Sequence, residues 1–138
     1  EIDDGKLRQA IEGAALGPVI DRLPAGLDTM LGENGIRLSG GQRQRIGIAR
    51  ALYSTPAVLV MDEATSALDN EAEQAITETL ERMKGTRTIV LIAHRMTSVL
   101  RCDRLFFLSS GRLVDEGPYA NLVLRNEAFR KMAQLTEA

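Results

Sequence analysis

The sequence predicts an α/β protein with a mainly helical N-terminal portion. Three observations carry this reading. Two short apolar runs, Val58-Leu59-Val60-Met61 and Thr88-Ile89-Val90-Leu91-Ile92, read as strands buried on both faces. Between them Ala72, Ala75, Ile76, Leu80 and Met83 recur at steps of three and four, which makes one apolar helix face. Two strands joined by a helix imply a right-handed parallel crossover.

The elements follow in order. Residues 1–37 are mixed, with Pro18 and Pro24 breaking two short helical patterns. Residues 38–54 read as a helix opened by glycine. The crossover helix spans Asn70 to about Lys84, and Gly85 is its stop. After a short helical connection, Arg104–Leu108 and Arg112–Val114 flank Ser109-Ser110-Gly111, which predicts a β-hairpin at the edge of the sheet. Gly117-Pro118 then opens a single helical tail to about Leu135.

Length and composition bound the function classes. The 138 residues are the size of one ordinary domain. With 44% hydrophobic and 26% charged residues the chain is that of a folded protein, not a disordered one. A net charge of −2 gives no basic field for nucleic acid or an anionic membrane surface. Cys102 has no partner for an internal disulfide, which is compatible with a reducing compartment. With one histidine and one cysteine, the chain lacks the four nitrogen and sulfur ligands of an ordinary zinc site. The longest apolar runs fall far short of the ~20 residues that span a bilayer.

Three places carry chemistry. In Leu38-Ser39-Gly40-Gly41-Gln42, Ser39 and Gln42 have the spacing of a capping box. A cap alone does not explain two consecutive glycines, each of which costs about 1 kcal/mol against alanine inside a helix. Bare backbone N–H groups at the positive end of a helix also suit a phosphate. Second, Val58–Met61 runs directly into Asp62-Glu63. Carboxylates at the C-terminal end of a buried strand either stay solvated or hold a ligand there. An aspartate suits Mg²⁺, and an adjacent glutamate can deprotonate a water. Asp69 or Asn70 can simply cap the next helix. Third, His94 follows the second strand at the same end of the sheet, within reach of a phosphate or a water. Arg43, Arg45 and Arg50 read as a solvated face or as partners for acids or phosphate.

In this order the pieces resemble the nucleotide-binding domain of ABC transporters over nearly the whole chain. Leu38–Gln42 matches the family signature letter for letter, Val58–Glu63 its Walker B strand, Ser66-Ala67-Leu68-Asp69 its D-loop and His94 its switch histidine. Thr29–Gly35 is similar to the x-loop of exporter-type members, and Leu23–Thr29 also looks exporter-like. The resemblance implies a partial P-loop NTPase fold. Residues 1–55 would form the helical signature subdomain, and residues 56–138 the C-terminal part of the core. It also implies two domains sandwiching two ATP molecules head to tail, at the cytoplasmic face of a plasma or bacterial inner membrane, beside a transmembrane domain. No nucleic acid partner is expected. Ser39, Gly40, Gly41 and Gln42 would meet the γ-phosphate of ATP held mainly by the opposite subunit. Asp62 would hold Mg²⁺ through water, Glu63 would polarise the attacking water, and His94 would contact the γ-phosphate. Ser66 and Asp69 would link the two half-sites.

The chain departs from the family in one large respect. The phosphate loop G-x-x-x-x-G-K-[ST] is absent, and the Gly5-Lys6 pair is followed by Leu7. There is also no initiator Met. The expectation is therefore a chain that begins inside the helical subdomain and binds ATP weakly without turning it over alone. Apolar faces of both strands would be left uncovered, inviting self-association. Gly117-Pro118-Tyr119 stands where many relatives have Gly-Thr-His. The leading reading is part of an exporter ATPase. The competitors are a soluble ABC ATPase acting on ribosomes or DNA, and a non-catalytic regulatory or assembly module.

Overall fold

β1 (Val58–Asp62) and β2 (Thr88–Ile92) pair in parallel, from Val58 opposite Thr88 to Asp62 opposite Ile92. They belong to a computed structural model that describes residues 1–32, 36–93 and 96–136. The chain divides into two units, Glu1–Ile92 and Ala93–Ala138.

The first unit is helical up to β1. α1 (Asp4–Gly13) starts on Asp3, whose side chain accepts the Lys6 N–H at 3.0 Å. α2 (Gly17–Ile20) is a single turn, and a 3-10 turn follows at Gly26–Asp28. α3 (Gly40–Tyr53) and the crossover helix α4 (Asn70–Met83) are the two long helices. Ala72 and Ile76 of α4 are buried, and Leu80 and Met83 pack beside them, as the periodicity predicts. Ile48, Leu59, Met61 and Leu68 complete this core with Ala14, Leu16 and Val19.

The strands depart from expectation. Leu59 and Met61 are buried, but Val58 and Val60 are 55% and 60% exposed, and Val90 and Ile92 are 42% and 49% exposed. Side chains alternate along a strand, so the helices cover only one side of this two-stranded sheet. The reading of both strands as buried on two faces is corrected to one face. The expectation of uncovered apolar faces holds.

In the second unit, α5 (Met96–Val99) leads to β3 (Leu105–Ser109) and β4 (Arg112–Gly117), which pair antiparallel. Ser110 and Gly111 both have positive φ, at 50° and 73°, the geometry of a tight two-residue hairpin loop. Among the described residues this hairpin is a sheet of its own and not an edge of the β1 sheet. Its loop closes the pair locally, so each strand finds its partner within a few residues. The tail is two helices, not one: α6 (Tyr119–Arg125) and α7 (Glu127–Thr136). Asn126 breaks it. Its backbone is extended (φ −112°, ψ 106°), and its side chain accepts the Phe129 N–H at 3.0 Å to start α7. Phe129 packs edge-on against Phe107 and Tyr119, with ring centroids 5.5 and 5.8 Å apart.

Candidate functional site

The start of α3 carries the capping box the spacing predicts. Ser39 Oγ accepts the Gln42 N–H at 3.2 Å, and Gln42 Oε1 accepts the Ser39 N–H at 2.8 Å. Two of the helix's orphan donors are thereby satisfied. The N–H groups of Gly40 and Gly41 have no partner among the described residues. Because Ser39 Oγ and Gln42 Oε1 are engaged as acceptors, the hydroxyl proton and the amide NH₂ remain as donors. The first turn contains no acid. The arrangement is a set of donors at a positive helix end.

The two glycines have different causes. A Cβ at Gly41 would lie 2.7 Å from the Ala67 carbonyl oxygen, closer than side chains tolerate. A Cβ at Gly40 would meet Ala67 Cβ at an ordinary 3.6 Å. Internal packing demands glycine at 41 and not at 40. The sequence offers a cap or an external phosphate at this pair, and the Ala67 neighbour that fixes Gly41 lies 26 positions away in the chain.

β1 delivers Asp62 and Glu63 to its C-terminal end, where both are exposed. The Glu63 N–H donates to the Ile92 carbonyl at 2.9 Å, extending the parallel ladder by one bond. Glu63 then takes φ +47°, a left-handed backbone rare for a side-chain-bearing residue. This turns the chain out of the strand, and the Ser66 N–H closes the turn on the Glu63 carbonyl at 3.0 Å. Gln44 of α3 bonds to this same turn. Nothing in the sequence reading singled Gln44 out.

Asp69 caps α4, accepting the Ala72 N–H at 2.9 Å with one oxygen and Arg45 at 2.9 Å with the other. The Ala72 N–H first, and the Arg45 charge after it, hold its carboxyl below the ordinary 3.8. Arg45 is mostly buried and also donates to the Ala15 carbonyl at 3.2 Å. Of the three arginines left open by the sequence, Arg45 is thus a partner for an acid, and Arg43 donates to the Leu38 carbonyl at 2.6 Å. His94 and the Glu33–Gly35 part of the x-loop lie outside the described residues.

Fold and site together define part of a P-loop NTPase, with an acid-free, donor-rich helix start and strand-end carboxylates. Comparison with known proteins agrees. The ABC transporter family model matches residues 6–66. An ATP-dependent lipid A-core flippase of Polaromonas sp. is 43% identical over 97% of this chain and 23% of its own length. Its namesake in Bordetella pertussis is 45% identical over 95% of this chain and 21% of its own. A solved bacterial Atm1-family ABC exporter with ATP bound superposes with a TM-score of 0.90 at 39% identity, covering 99% of this chain and 24% of that one. The chain carries the ABC transporter family match over residues 6–66 and corresponds to part of the nucleotide-binding domain of exporter-type members. It spans about a quarter or less of the curated relatives it matches.

Proposed function

We propose that the chain works as part of an ATP-binding cassette that couples ATP binding and hydrolysis to export of a substrate across a membrane. The observation that carries this is the start of α3, where the Gly40 and Gly41 N–H groups stand without partners among the described residues, beside the donor groups of Ser39 and Gln42. Relatives named ATP-dependent lipid A-core flippases support export as the task, and the ATP-bound exporter supports the nucleotide.

In this reading residues 1–55 are the signature subdomain and residues 56–138 part of the core. Ser39, Gly40, Gly41 and Gln42 receive the γ-phosphate of an ATP held mainly by a second nucleotide-binding domain. Glu63 orients and polarises the attacking water, and His94 contacts the γ-phosphate. Ser66 and Asp69 link the half-sites. Among the described residues no group of three or more His, Cys, Asp or Glu could hold a metal. A single exposed carboxylate at Asp62 nevertheless fits Mg²⁺, which keeps waters and takes its other oxygens from phosphate. When bound, Mg²⁺ neutralises charge on the phosphate oxygens. The chain's own residues position, orient and donate hydrogen bonds. The partners are the second cassette and a transmembrane domain, and the site lies at the cytoplasmic face of the membrane. No described helix is long and apolar enough to cross a membrane.

The test is Glu63→Gln in the transporter polypeptide carrying this segment. ATP-dependent dimerisation should persist while hydrolysis stops; hydrolysis at the parent rate overturns the assignment. The 138-residue chain, without G-x-x-x-x-G-K-[ST], should show no turnover by itself. Turnover abolished by Glu63→Gln would refute that second expectation.

A further inference from the structure

Gln44 sits on the second turn of α3 and reaches the turn that follows β1. Its Nε2 donates to the Glu63 carbonyl at 3.2 Å and to Ser66 Oγ at 3.0 Å. Its Oε1 accepts the Ala67 N–H at 3.0 Å. Two donor protons meet two acceptors, and the acceptor meets a backbone N–H. A flipped amide would set oxygen against oxygen at Glu63, so the network itself fixes the orientation.

The turn it holds is strained, because Glu63 has φ +47°, a left-handed backbone that crowds a Cβ against the following carbonyl oxygen. Such a conformation persists only where the surroundings determine it. Gln44 is flanked on its helix face by two further contacts with the same segment. Gly41 lies where a Cβ would come within 2.7 Å of the Ala67 carbonyl oxygen, and Arg45 pairs with Asp69. Positions 41, 44 and 45 are spaced i, i+3, i+4, which is one face of a helix. That face is turned to residues 63–69, while the N-terminal end of the same helix carries Ser39, Gly40 and Gln42.

We propose that Gln44 is a positioning residue that fastens the Glu63–Ala67 turn to α3, so that the aim of Glu63 and the position of the Ser39 helix start are set as one body. The proposal rests on the reading of Glu63 as the group that polarises water. Its consequence is that a phosphate meeting the helix start in one half-site bears, within a single chain, on the glutamate serving the other.

The experiment uses two variants in the transporter polypeptide carrying this segment, with Glu63→Gln in parallel. Gln44→Met keeps the length of the side chain and removes all three hydrogen bonds. It should lower kcat about tenfold or more while KM for ATP stays within about twofold, because misaimed groups lose rate and not affinity. Gln44→Glu keeps the acceptor for Ala67 and loses both donors. It should lower kcat similarly, and it provides the measurement if the methionine variant folds poorly. In the 138-residue chain, hydrogen exchange at the Ala67 N–H should accelerate in Gln44→Met and stay near the parent rate in Gln44→Glu. A parent kcat per folded molecule in both variants, with Glu63→Gln inactive, overturns the role of Gln44 and leaves Glu63 standing. Hydrolysis at the parent rate in Glu63→Gln overturns the glutamate assignment and, with it, the catalytic consequence proposed for Gln44. Unchanged Ala67 exchange in Gln44→Met overturns the fastening itself.

Discussion

α3 and α4 are both 14 residues long and both begin on a side-chain cap, but their starts are filled differently. α4 begins with Asp69 and carries Glu71 and Glu73 in its first turn, so its positive end is met by the chain's own carboxylates. α3 begins with the neutral pair Ser39 and Gln42, has no acid in its first turn, and leaves two glycine N–H groups without partners among the described residues. The same backbone dipole is met by the chain's own carboxylates in one helix and by no carboxylate of the first turn in the other. On the proposed function, the difference separates a helix start that only folds the protein from one that also receives a phosphate.

The largest expected break in this comparison comes from Gly41→Ala. Its Cβ would collide with the Ala67 carbonyl, so it should destabilise the chain by about 1–3 kcal/mol, as overpacking against backbone does. Gly40→Ala meets only ordinary contact and should lie within about 0.5 kcal/mol of the parent. Chemical denaturation of both chains measures the difference, and equal losses would refute the assignment of Gly41 to internal packing.

Gln42→Glu sharpens the comparison by making α3 resemble α4. The carboxylate preserves the capping box and should add about 0.3–1 kcal/mol of stability at low salt through the helix dipole. The same charge repels phosphate, so ATPase activity of the assembled transporter should fall. Stability and activity moving together would contradict the anion-binding role.

Acid gives the smallest effect. The Ala72 N–H and Arg45 lower the pKa of Asp69, and Arg125 and Asn126 lower that of Asp115. Both carboxylates are therefore protonated in the unfolded chain before the folded one as pH drops. Their stabilisation is fully present above 3.8, the ordinary value, and declines as pH falls through the lowered folded values. Urea midpoints at pH 5 and pH 3 should show the decline. Asp69→Asn, which retains the cap but not the charge, should reduce it.

Much of this was legible because local rules act over a few residues. The Ser39–Gln42 box, the α4 face from Ala72 to Met83 and both parallel strands depend on spacing alone. The break at Asn126 had a visible sign, an Asn followed by an acid, but it sat inside an apolar pattern that favours one continuous helix. The exposed face of Val58, Val60, Val90 and Ile92 was not legible in the strands themselves. An apolar run states what a strand can bury, not what stands opposite it. Gln44 was hidden for a similar reason. A glutamine inside a helix is unremarkable until the turn at Glu63–Ala67 is brought against it.

The left-handed backbone at Glu63 bears on how any substitution there is interpreted. Glutamate and glutamine carry the same Cβ and share the same strained conformation, so its cost cancels between them. Glycine would relax it and stabilise the chain while removing the carboxylate. If Glu63 polarises water as proposed, a gain in melting temperature and a loss of chemistry at this residue are one and the same change. Only the glutamine exchange isolates the carboxylate from the shape of the backbone that presents it.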